Sequence, residues 1–138
     1  MSRRIAITAS FALLFAAGGA TSALAEHHMA SEADAETIAV TLDNFSFAPT
    51  DIQLEAGKAY VLEFSNVGFP HDFTAPEFFA AAEIAAEDAG NVVDGAVNVA
   101  PGTSVTVHLV APAAGSYEVL CGRPGHADLG MTGSITVS

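Results

Sequence analysis

Cys121-Gly-Arg-Pro-Gly-His126-Ala-Asp-Leu-Gly-Met131 carries a thiol, an imidazole and a thioether on one short segment. These are soft-to-borderline donors, suited to a copper ion that cycles between Cu(I) and Cu(II), whereas calcium or magnesium would call for carboxylates. On an extended chain these donors would lie more than about 10 Å apart at about 3.3 Å per residue, so the segment must bend. Gly122, Pro124, Gly125 and Gly130 provide the turn chemistry for that. A blue-copper site needs two His and one Cys in a plane with a weak axial group, often Met. A second imidazole must therefore come from elsewhere, and His71 is the best candidate, in Gly68-Phe69-Pro70-His71-Asp72-Phe73 at the end of a predicted strand. Pro70 restricts the backbone before it, and the apolar flanks can exclude water. Zinc remains an alternative for the same residues, although structural zinc seldom uses a thioether.

The elements that must position these residues read as short strands. Residues 37–42 alternate, with Ile38, Val40 and Leu42 on one face; Phe45 and Phe47 continue an alternating stretch to Pro49. Ile52 and Leu54 mark a strand ended by Gly57, residues 60–64 another, and 65–70 a loop. Residues 76–88 break the pattern: Pro76, an early Glu77 and a run of Ala predict a helix that covers the core through Phe78, Phe79, Ala82 and Ala86. Residues 91–100, 104–110, 117–121 and 133–137 are again strand-like. In the second of these, His108 falls opposite Val105, Val107 and Leu109, which predicts a solvent-facing residue and not a ligand. Seven or eight short strands with Gly/Pro turns indicate an all-β antiparallel sandwich or barrel with one short helical insertion.

Gly-Phe-Pro-His at 68–71, together with Cys-x4-His-x4-Met at 121–131, resembles the cupredoxin family, the plastocyanin/azurin relatives, and most closely its small bacterial and archaeal periplasmic members. The resemblance spans roughly 37–137 and implies a Greek-key β-sandwich holding one type 1 copper near one end, with His71, Cys121, His126 and Met131 as ligands. It also implies an apolar rim around 68–70 and 122–130 through which electrons pass. One residue departs from the pattern: many relatives have Asn after the first His, where it helps tie the two ligand loops together, and this chain has Asp72. A carboxylate can accept backbone N–H bonds but cannot donate as an amide does.

Composition sets the surroundings. Arg3 and Arg4, an apolar stretch at 5–17 and Ala23-Leu24-Ala25 have the layout of a secretory signal peptide. The apolar run falls short of the roughly 20 residues that a membrane-spanning helix needs. The expected organisation is a signal peptide at 1–25, a flexible acidic leader at 26–36 and one cupredoxin domain at 37–138, exported to the periplasm with no membrane span once the signal is removed. Beyond residue 25 only Lys58 and Arg123 oppose 16 acidic residues. Nucleic acid is thereby disfavoured as a partner, and a transient redox partner with a positive patch, such as a basic cytochrome or oxidase subunit, is expected. Cys121 is the single cysteine, so no intramolecular disulfide can form, and an exported free thiol is a liability unless it is buried or occupied; a metal would occupy it.

Two functions follow: single-electron transfer, or periplasmic copper carriage and resistance. The second is mildly favoured by His27-His28-Met29, since a mature start at Glu26 could offer Cu(II) a nitrogen site of its own. An enzyme is not expected. No catalytic triad, phosphate loop or second metal cluster is evident, and multicopper chemistry needs more His than the five present.

Overall fold

The structure, a computed structural model, describes residues 34–138; the predicted signal peptide, most of the leader and the His27/His28 site lie outside the described residues. Among those described, no helix is long and apolar enough to cross a membrane.

Among the described residues, ten strands form two five-stranded sheets. The first sheet is built from β1 (Glu36–Asp43), β2 (Ser46–Ala48), β4 (Ala59–Asn66), β6 (Glu83–Ile84) and β8 (Ser104–Val110), in the order β2-β1-β4-β8-β6. The second contains β3 (Asp51–Leu54), β5 (His71–Thr74), β7 (Ala96–Val99), β9 (Gly115–Leu120) and β10 (Thr132–Val137), in the order β3-β10-β9-β5-β7. Alternation along each strand turns one face inward. Val40, Leu42, Leu62, Phe64, Val107 and Leu109 from the first sheet meet Ile52, Leu54, Phe73, Val97, Val99, Val119, Ile135 and Val137 from the second in one core. Phe73 is central, with its ring 4.8 Å from Phe64, 5.4 Å from Phe47 and 6.3 Å from Phe79. Such aromatic pairs contribute about 0.5–1.5 kcal/mol each beyond the area they bury.

The sandwich is not wholly antiparallel. β1 runs parallel to β4, and β3 parallel to β10. Parallel neighbours need a crossover between them. Here the chain leaves β1 through β2, crosses to the other sheet as β3 and returns as β4, so the crossover is made by strands.

The insertion also differs from the sequence expectation of a helix over 76–88. Helix α1 covers only Pro76–Ala81, with Phe78 and Phe79 buried. Ala82 is extended (φ −75°, ψ 151°), and Glu83 and Ile84 then pair with Val110 and Leu109 at the edge of β8. A single 3-10 segment, Ala86–Asn91, follows. The Ala-rich run has helix propensity, but beyond Phe79 it has little to bury, and an open sheet edge offers its backbone better partners. Ala86, expected on the buried face, is exposed. His108 is half-buried instead of solvent-facing, because Asp88 from the 3-10 segment folds over it: one carboxylate oxygen accepts the His108 N–H at 2.8 Å and lies 2.6 Å from Nδ1. The strand expected over 91–100 is likewise shortened to β7, since an Asp94-Gly95 turn joins Val93 to Ala96.

Candidate metal centre

His71 opens β5 and does not end the preceding strand; its pairing with Val99 places the imidazole inside the sandwich, fully buried. The loop before it is organised by two asparagines that the sequence reading did not single out. The Asn66 side chain, 2% exposed, donates to the carbonyls of Phe69 and Val99, both at 2.7 Å, and accepts the Gly68 N–H at 2.9 Å. Asn44, in the turn between β1 and β2, accepts the Phe69 N–H at 2.8 Å through Oδ1, and the same oxygen lies 3.1 Å from His71 Nε2. An oxygen accepting one N–H can bond that ring nitrogen only if the nitrogen carries the proton, so Nδ1 is left with a free lone pair. Gly68 makes this approach possible, because a Cβ there would collide with Asn44 Oδ1.

The other donors come from the connection between β9 and β10. It closes on itself through backbone bonds: Cys121 N–H to Met131 O (3.0 Å), Met131 N–H to His126 O (3.1 Å) and His126 N–H to Arg123 O (3.1 Å). Gly125 and Gly130 take positive φ of 79° and 98°, conformations that side-chain-bearing residues rarely adopt. Three of the four donors expected to converge do so. His71 Nδ1 lies 3.1 Å from His126 Nδ1 and 3.9 Å from Cys121 Sγ, and Sγ is 3.5 Å from His126 Nδ1. His71, Cys121 and His126 form the one such metal-competent group among the described residues, and His108 is not part of it. Met131 is fully buried, with its backbone bonded to both Cys121 and His126.

Burial holds the His71 imidazole below its ordinary pKa range, and His126 beside it acts in the same direction. The neutral ring is the form that can ligate a metal. His126 is half-buried, and Phe45 stands edge-on to it at 5.0 Å and to His71 at 6.3 Å, covering both rings. Phe45 was legible only as part of an alternating stretch; its role over the site depends on the β1–β2 turn. Asp72 does tie the two ligand segments together, as an acceptor. Its Oδ1 takes the Gly122 N–H at 2.6 Å and the Thr74 hydroxyl at 2.7 Å, and Oδ2 is 3.5 Å from Arg123 Nε. Two imidazoles and a thiol, gathered without a carboxylate among them, are the donor set that suits copper.

A model of the copper-binding proteins of the plastocyanin/azurin family matches residues 26–138. The chain belongs to this family. It is a cupredoxin by fold, and its His-Cys-His cluster with the adjoining Met fits one type 1 copper. Auracyanin-B of Chloroflexus aurantiacus is 28% identical over 131 residues, which cover 80% of this chain. The match spans 56% of that relative's own length. A solved structure of auracyanin B is 27% identical with a TM-score of 0.56, covering 78% of this cupredoxin and 92% of the other chain. The dithionite-reduced auracyanin of Roseiflexus castenholzii, 24% identical, has a TM-score of 0.56 and covers 75% of this chain and 98% of its own; it shows the shared fold.

Proposed function

We propose that this cupredoxin is an exported, non-enzymatic carrier of single electrons, in which His71, Cys121, His126 and Met131 would hold one copper. The observation that carries the reading is the convergence of three donor atoms, 3.1–3.9 Å apart, from two segments separated by some fifty residues of chain. When bound, copper supplies a one-electron couple. The residues do the rest. The sheet and the Asn44 and Asn66 side chains hold His71 in one orientation, so little has to move as charge changes. Burial of Cys121, 1% exposed, keeps water from the thiolate. His126 is the donor with the most open ring.

Beside it Phe69 and Leu129 are 58% and 63% exposed, an apolar rim against which a redox partner can dock in a small, transient interface. Asp43 and Asp128, both exposed, flank this end, which favours a basic cytochrome or oxidase subunit as partner. Partner oxidation that slows with rising salt supports this steering; a flat response argues against it.

The reading is tested by adding one equivalent of Cu(II) to the purified protein and recording the visible spectrum. An intense thiolate-to-copper band, absent in Cys121→Ser, supports the site; a colourless product rejects it. Rapid electron exchange with a partner then supports transport, whereas ready loss of copper to a metal-free acceptor shifts the reading to a copper carrier or resistance protein.

A further inference from the structure

Asp72 is 7% exposed, follows His71 in the chain, and grips the amide of Gly122, which follows Cys121. Its second oxygen faces Arg123, one residue further along the same loop. Asn98, directly across the β5–β7 pairing from Asp72, accepts a hydrogen bond from Arg123 Nη2 at 3.2 Å. The guanidinium is thus held between neighbouring positions on two strands. A nearly buried carboxylate beside a thiolate-bearing site carries a Coulombic consequence that a neutral amide in the same place does not.

We propose that Asp72 and Arg123 act as a charge-balanced pair that sets the reduction potential of the site. This rests on the reading that His71, Cys121, His126 and Met131 hold a type 1 copper. Accepting one electron from a one-electron mediator makes the site one unit more negative. The Asp72 carboxylate opposes that gain and the Arg123 guanidinium favours it, so their juxtaposition offsets the two effects. Asp72→Asn retains an oxygen to accept the Gly122 N–H and leaves Arg123 uncompensated, which favours the reduced form. Arg123→Gln leaves the carboxylate uncompensated and favours the oxidised form. A purely structural role predicts something else: loosening from either side moves the potential in the same direction.

The experiment is an equilibrium redox titration of copper-loaded parent, Asp72→Asn, Arg123→Gln and the double variant. The reduced-to-oxidised ratio at fixed mediator poise rises about tenfold in Asp72→Asn, the order expected for one charge removed near the site. It falls about threefold in Arg123→Gln, a smaller change because that side chain is 42% exposed and partly screened. The double variant lies between the two single variants, about threefold above the parent, because the two opposed effects combine and only partly offset each other. Shifts of the same sign, or none, overturn the proposal. In the metal-free protein, hydrogen exchange at the Gly122 amide stays protected in Asp72→Asn and loses protection in Asp72→Ala. Protection kept in Asp72→Ala shows that Asp72 is not the tie and rejects the proposal. A parent without the thiolate-to-copper band removes the copper reading and this pair with it, whereas a normal band with wrongly signed shifts rejects the pair alone.

Discussion

The segment leading into His71 and the loop from Cys121 to Met131 contribute to one cluster but are built differently. His71 sits in a strand, with the buried Asn66 amide bonding three backbone groups around it and Asn44 orienting its ring. The Cys121–Met131 connection has buried ends, while residues 122–125 and 128–130 are exposed and linked by short turn bonds. The first region is rigid because tertiary contacts over-determine it. The second depends largely on its own backbone bonds, its glycines and the Asp72 tether. One side presets a donor's tautomer and direction; the other brings a half-exposed imidazole to where a partner can reach it.

The largest expected effect comes from the loop. Cys121→Ser abolishes the intense copper–thiolate absorption outright, because a hydroxyl cannot replace the soft donor. Next is the rigid side: Asn66→Ala strands two carbonyls and an N–H, and denaturant unfolding of the metal-free protein should show a loss of about 2–3 kcal/mol. If Asn66→Ala unfolds like the parent, the asymmetry between the regions is wrong. Asn44→Ala frees the His71 ring without emptying the core; copper competition titrations should show a loss of affinity of about 10–100-fold, typical of a lost ligand-orienting partner. In the metal-free protein, amides at 123–130 should exchange with solvent faster than those at 71–74, which the sheet protects. Equal rates would erase the contrast. Leu129→Ala, on the exposed rim, should change stability by less than about 0.5 kcal/mol while slowing electron exchange with a partner.

How far each feature could be read beforehand follows from the range of the forces involved. The alternation in residues 37–42 and 104–110 marked β1 and β8 because one face of a strand is filtered by burial at every second position. The helix over 76–88 was half right: Pro76, Phe78 and Phe79 do form a turn and a half of helix. Its end depended on the open edge of β8, which sequence does not display. His108 was read from alternation alone, and Asp88, which half covers it, reaches it only because the 3-10 segment packs against β8. Asn44, Asn66 and Phe45 gave little sign of their roles. Each acts on residues brought near by strand pairing, as when the β1–β2 turn delivers Asn44 to a ring 27 positions away.

By itself the sequence determined the chemistry available: one thiol, two well-placed imidazoles and a thioether, with turn residues that let Cys121, His126 and Met131 share one loop. Those are local facts, decided by residue type, spacing and backbone freedom. Tertiary structure decided that His71 Nδ1 is the atom turned toward Cys121 and His126, that Asp72 accepts the bond tying both segments, and that two strand pairs run parallel. These outcomes depend on which backbone groups meet across the sandwich, and a buried polar group takes whichever partner the packing brings within reach.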